Sequence, residues 1–179
     1  VLSDPLKNCR STARRSAAGR FLLRRSCLLK ILVSACLLGT PCRYDGASKA
    51  NAAIMALQEG YTLVPVCPEV LGGLPTPRPP AERQEDGRIV NRAGADVTAQ
   101  YQSGAQAALK LARQEGCTMA ILKARSPSCG KGKIYDGSFS GNLVPGDGTA
   151  ARCLSEAGFL VLDEDEAKNY FKMWEEEKQ

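Results

Sequence analysis

The chain has no histidine. That single absence removes Ser–His and Cys–His nucleophilic pairs and every imidazole-ligated zinc site. Aromatic residues are only 6% of the 179 positions, too few for a broad base-stacking platform. No apolar run approaches the roughly 20 residues of a membrane-spanning helix. There is no C-x-x-C pair, so a zinc ribbon or thioredoxin-type motif has no support. There is no G-x-G-x-x-G to suggest a flavin or nicotinamide. Thiolates, carboxylates, Lys, Arg and hydroxyls must therefore carry whatever chemistry the protein performs. Of these, thiols are plentiful, with 8 cysteines. With 44% hydrophobic and 24% charged residues, the chain suits one ordinary soluble domain plus a tail.

The charge is concentrated at one end. Residues 1–30 carry Lys7, Arg10, Arg14, Arg15, Arg20, Arg24, Arg25 and Lys30 against Asp4 alone, while the rest carries 16 basic and 18 acidic groups. The body is thus near neutral, and the basic pI of 8.8 belongs to the tail. It is not a nucleic-acid footprint of the folded part. Rich in Arg, Ser and Ala, residues 1–28 read in three ways: an organellar transit segment, an upstream extension outside the native product, or a nucleic-acid arm. Disorder or a frayed helix is expected there. Residues 29–179 are expected to form a single α/β domain, cytoplasmic unless the tail directs it to an organelle.

Four apolar runs read as buried strands: Ile31–Ala35, Thr62–Val66, Thr118–Leu122 and Phe159–Leu162. Helical patterns fall between and after them, at Ala47–Glu59, Val97–Glu115, Thr149–Ala157 and from Asp163 onward. Gly60, Gly116 and Gly158 stop the first three of these, and Asp96 is placed to cap the second. Leu71–Pro80 reads as a loop or lid, Asp86-Gly87 as a hairpin turn, and Gly130–Gly148, with six glycines, as loop. Alternating strands and helices predict parallel crossovers. The fold class is α/β: a Rossmann-like three-layer sandwich with a mainly parallel sheet of four to five strands. Such sheets bind ligands at the carboxyl ends of their strands.

The cysteines fall where that rule matters. Cys36 follows the first strand, Cys67 the second, and Cys129 the third within a few residues. In a parallel sheet all three share one rim. Three thiols there can hold a soft metal or an iron–sulfur cluster, run thiol–disulfide chemistry, or simply pack as small hydrophobes. Zinc with three thiolates and a water also satisfies the pattern. Cys42 lies six residues beyond Cys36 and can approach the same rim, as ligand or as filler. Cys117 and Cys153 read as core, and Cys9 and Cys27 lie in the tail.

Four blocks then carry a resemblance. They are Ser34-Ala-Cys-Leu-Leu-Gly39; Cys42-Arg-Tyr-Asp-Gly46; Pro65-Val-Cys-Pro-Glu69 with Gly72-Gly-Leu74 and Pro77-Arg-Pro79; and Lys123-Ala-Arg-Ser-Pro-Ser-Cys-Gly130. Together, in this order over about residues 31–163, they resemble the thiouracil desulfurase family. The resemblance implies a [4Fe-4S] cluster held by Cys36, Cys67 and Cys129, with one iron left open. It implies an enzyme that replaces the sulfur of a small thiolated pyrimidine, such as 2-thiouracil, by oxygen and releases hydrosulfide without net redox change. A soft thiocarbonyl sulfur suits an open iron. The water needs a base and the developing charge a donor. Glu69 and Asp45 are the candidate bases, Lys123 a candidate cation for a pyrimidine oxygen, and Ser126 and Ser128 candidate hydroxyl donors. Each has a plainer reading: helix-start acid, self-capping turn acid, solvated lysine and turn formers. Arg78 and Glu82 are expected to pair with each other or to cover the pocket. Lys131 and Lys133 read as a basic loop that matches no phosphate-binding pattern. A membrane partner is not expected, and the near-neutral body argues against nucleic acid. The rival readings are a non-catalytic cluster or zinc module and a thio-RNA-directed enzyme or binder.

Overall fold

The computed structural model describes residues 29–176. The tail of residues 1–28, with Cys9 and Cys27, lies outside them. Four strands form one parallel sheet: β1 (Lys30–Ser34), β2 (Thr62–Val66), β5 (Cys117–Leu122) and β8 (Leu160–Asp163), in the order β2-β1-β5-β8. β1 is central. The chain steps from it outward to β2, then returns past it to β5 and β8. This places a topological switch point at the carboxyl ends of β1 and β5, where open sheets of this kind leave a crevice. Among the described residues no helix is long and apolar enough to cross a membrane.

The strand side chains alternate between two cores, as the pleat requires. Ile31, Val33, Met119 and Ile121 face Ile54 of α1 (Ala52–Ala56) and Ala167 and Phe171 of α5 (Glu164–Glu176). Leu32, Val64, Val66, Ala120 and Leu122 face Ala108 and Ala112 of α3 (Thr98–Glu115) and Leu154 of α4 (Thr149–Glu156). The expected three layers are therefore present, around four strands.

The differences from the sequence reading are local. Ala47–Asn51 is not helical. Asn51 caps α1 by accepting from the Ile54 amide at 3.3 Å, so the polar cap overrides the Ala-rich run before it. Asp96 accepts from Thr98 N at 2.9 Å, one residue ahead of the helix-entry position held by Val97. The hairpin around Asp86-Gly87 forms as β3 (Ala81–Arg83) with β4 (Ile89–Asn91). The glycine-rich segment hides a second hairpin, β6 (Lys133–Tyr135) with β7 (Leu143–Pro145). Its strands are too short to stand out between six glycines.

The short helix α2 (Pro68–Leu71) lies on α3 backbone to backbone. A β-carbon at Gly104 would stand 1.9 Å from the Pro68 carbonyl oxygen, and one at Gly72 would stand 2.0 Å from that of Gln100. Only glycine permits this approach, and it is what seats Cys67 and Glu69 at the sheet edge. Gly104→Ala is expected to destabilise the fold by about 3 kcal/mol, because backbone rather than a movable side chain must shift. Gly60→Ala, at φ −121° with open space around it, is expected to stay within about 0.5 kcal/mol. Thermal unfolding of the two variants should separate them by roughly 10 °C.

Candidate active site

The ends of β1, β2 and β5 open into one cleft of about 770 Å³, within the range of small-molecule sites. Cys36, Cys67 and Cys129 all line it, as do Cys42, Glu69, Lys123 and Ser126. Each is held by a separate local device. Cys36 rides on a 3-10 turn (Ala35–Leu38) closed by Gly39 in the left-handed region at φ 93°. Its carbonyl accepts from Lys49 N at 2.9 Å, which folds the 40–50 loop over the site. Cys67 occupies the entry position of α2, with Pro68 opening the helix.

Cys129 sits in a turn fastened from both sides. Ser126 Oγ accepts from the amides of Ser128 and Cys129 at 3.1 and 3.2 Å. The first amides of α4 then donate to that turn: Thr149 N to Pro127 O at 2.9 Å and Ala150 N to Ser128 O at 2.8 Å. Gly148 allows the approach, since a β-carbon there would lie 2.4 Å from the Ser128 carbonyl oxygen. Ser34, at the tip of β1, links the elements. Its hydroxyl accepts from Lys123 N at 2.9 Å and lies against the Cys129 sulfur.

Three of the cleft thiols, Cys42, Cys67 and Cys129, are pushed toward the protonated form. Burial pushes Cys129 up to about 12, with the Ser34 and Ser128 hydroxyls pulling weakly the other way. The hydrogen bond with Cys42, then burial, pushes the Cys67 thiol well above its ordinary value. The hydrogen bond with Cys36 leads the rise at Cys42. Cys42 packs in one cluster with Cys36, and the Cys67 sulfur lies 3.7 Å from the Cys42 carbonyl oxygen. Ser128 Oγ is fully buried and near the Cys129 sulfur, yet makes no hydrogen bond of ordinary geometry. Among the described residues no three Cys, Asp or Glu side chains converge on a point as ligands of one metal ion do.

Glu69 is the best-anchored carboxylate in the cleft. Arg78 grips its Oε2 from Nε at 2.8 Å and Nη2 at 2.7 Å. Ser126 Oγ lies 3.4 Å from its Oε1. Tyr101, 2% exposed, hydrogen-bonds it as well, and burial followed by the Glu69 charge keeps that phenol protonated. Arg78 also donates to the Cys42, Pro75 and Thr76 oxygens at 3.0, 3.1 and 3.1 Å. Burial works against its charge, and Glu69 outweighs burial and raises its pKa.

The other sequence candidates are placed as follows. Lys123 Nζ is paired with Glu164 Oε1 and donates to Ala124 O, while Glu164 Oε2 accepts from Ala124 N at 2.6 Å. Asp45 accepts from Ala47 N at 3.0 Å and pairs with Arg43 at 3.0 Å, serving its own turn. It does not line the cleft. Arg78 and Glu82 do not pair. Glu82 Oε2 instead accepts from the Gly137 and Phe139 amides at 3.0 and 2.9 Å, drawing the tip of the β6–β7 hairpin to the cleft. Lys131 is tied to Asp147 at 2.8 Å, and Gly132 N donates to the same carboxylate. Cys117 is buried in the core, and Cys153 packs against it half-buried. Sequence reasoning missed the roles of Ser34, Tyr101 and Glu164. Only Ser34, between a strand and Cys36, carried a readable signal.

A parallel sheet whose switch-point rim gathers thiols and an arginine-held carboxylate defines the class. The chain belongs to the 2-thiouracil desulfurase family, whose profile matches residues 31–166. The family named by the four sequence blocks is therefore the one found. Uncharacterized protein YbbK of Bacillus subtilis (strain 168) is 44% identical over 145 residues, covering 76% of this chain and 96% of that protein. The solved structure of a [4Fe-4S]-dependent thiouracil desulfidase, TudS, is 49% identical with a TM-score of 0.72, covering 76% of this chain and 91% of that chain.

Removing Arg78 leaves a part-buried carboxylate unpaired. Arg78→Met is expected to cost about 3–5 kcal/mol, and the Glu69→Gln/Arg78→Met double variant clearly less. Urea unfolding of Glu69→Gln, Arg78→Met and the double variant measures the coupling. Equal losses in Arg78→Met and the double variant would show that the pair is not what holds the loop.

Proposed function

We propose that the chain is a [4Fe-4S]-dependent desulfidase that replaces the sulfur of a thiolated pyrimidine by oxygen. The observation that carries this reading is the common cleft of Cys36, Cys67 and Cys129 with Glu69 at the ends of three adjacent strands. The similarity to TudS supports it. The donor set fits the cluster. It consists of three thiols from three separate segments and no imidazole in the chain. A fully buried Ser128 hydroxyl with no hydrogen bond of ordinary geometry stands beside Cys129 as a donor for a cluster sulfide. A group with several metal corners also suits thiols ranged around a cleft rather than closed on one point.

In this reading Cys36, Cys67 and Cys129 hold the cluster. When bound, it supplies a soft Lewis-acidic iron for the thiocarbonyl sulfur. The protein supplies the rest. Glu69 accepts the proton of the attacking water. Arg78 fixes Oε2, so Oε1, on the Ser126 side, is the oxygen left to act as base. The hydroxyl of Ser126 and the ammonium of Lys123 are the donors at the rim for a pyrimidine oxygen or for charge developing on the ring. Burial of Cys36, Cys129, Tyr101 and Arg78 around them limits the access of bulk water. Asp45 serves the Cys42–Gly46 turn.

The reading is tested on protein purified without oxygen and reconstituted with iron and sulfide. The parent is expected to carry about four irons per chain and to convert 2-thiouracil to uracil with release of hydrosulfide. Cys36→Ala, Cys67→Ala and Cys129→Ala should each lose the cluster and the activity. Glu69→Gln should keep the cluster and lose about 10²–10⁴ in kcat, while Asp45→Asn retains at least half. Iron equal in the parent and the triple cysteine variant would remove the cluster reading. Iron lost without turnover of any thiopyrimidine by the parent would leave a binding module.

A further inference from the structure

Cys42 has no part in the proposed chemistry, yet it is buried among the other thiols of the site. It is 8% exposed and packs in one buried cluster with Cys36, with Cys67 packed against that cluster. The Cys67 sulfur also donates to the Cys42 carbonyl at 3.7 Å. The same carbonyl is clamped by Arg78 Nη2 at 3.0 Å, and Cys42 N is bonded to Thr40 O at 2.9 Å, so the residue is fixed between its neighbours. A cysteine that only filled space would not need a thiol on each side. Cys117, under α3, is such a filler.

The geometry points to Cys42 as a resolving thiol: in the cluster-free chain it closes a disulfide with Cys36 or Cys67 once either has been oxidised by a peroxide. The first sulfur takes one oxygen from the peroxide and becomes a sulfenic acid, and water leaves. The Cys42 sulfur then displaces the hydroxyl, forming the S–S bond and a second water. One peroxide is reduced to two waters and two thiols become one disulfide. A dithiol returns both thiols. Without Cys42, a second peroxide carries the sulfenic acid on to sulfinic acid, which a thiol does not reverse. That this preserves the ligand set for reloading rests on the cluster reading above. The disulfide itself does not.

The test uses the full chain stripped of metal by chelation under reducing conditions, treated with hydrogen peroxide, alkylated and mapped by peptide mass. Half of each sample is then reduced with dithiothreitol and reconstituted with iron and sulfide. The wild type is expected to show a disulfide containing Cys42 and to regain most of its iron after reduction. Cys42→Ser and Cys42→Ala are expected to show two added oxygens on Cys36 or Cys67 and to lose most of their reloading after peroxide, while loading normally before it. A direct Cys36–Cys67 disulfide, no disulfide at Cys42, or variants that reload as well as the wild type would overturn the proposal. If no sample loads iron before peroxide, the cluster reading has failed, and the peptide map still decides the role of Cys42. Thermal unfolding of the untreated variants identifies any that have failed to fold, and the map is read on the other.

Discussion

Everything at the site depends on β1 pairing in parallel with both of its neighbours. Ser34 lies opposite Val66 on one side, and Val33 opposite Ile121 on the other. The three strands therefore end at nearly one level. Whatever follows each of them leaves the sheet on the same rim. A shift of one residue in either pairing would exchange the two faces, setting Ile31 and Val33 against the α3 side and Leu32 against the α1 side. The double-sided core forbids that slip. The register of apolar side chains thus decides where the cleft's thiols go, although none of those four belongs to these paired positions.

The polar part of the site is a second layer on that frame. Glu69 and Arg78 come from either side of a proline-rich loop, and their pairing is mostly buried. Such a pair yields little net stability, because both ions give up water. What it supplies is placement. Arg78 spends its donors on one carboxylate and on three oxygens of two loops. A lysine would offer the charge without that planar fork. Ser34 acts likewise on a smaller scale, joining β1, the start of the β5 loop and Cys129 through one hydroxyl.

The sheet was legible because its strands are short, mostly apolar and bounded by glycine, proline or polar residues. The 62–66 strand agrees residue for residue. Cys36, Cys67 and Cys129 were legible because position after a strand is a sequence property in a parallel fold. Which carboxylate meets which cation was not. The partners of Arg78 and Glu82 are decided by how the 71–80 loop folds back and how the β6–β7 tip docks, and neither has a periodic signature. The close approach of Gly72 to α3 was hidden for a related reason. A glycine that stops a helix and one that admits a neighbouring backbone look the same in one sequence. The contact of Cys42 with two other thiols lies in the same category: the spacing allowed it, and only the folded 40–50 loop produces it.

The turn bearing Cys129 accepts hydrogen bonds from the first amides of α4, and the backbone just after β5 donates one to Glu164, the first residue of α5. Both anchors lie downstream of every cysteine in the cleft. On a ribosome the chain therefore presents its four site thiols long before it presents the groups that hold them in place. The cleft is finished only when almost the whole described domain has emerged. Loading of any group there is a late event in the life of the molecule, and a chain truncated before residue 164 keeps all four of the cleft's thiols but not the frame that arranges them.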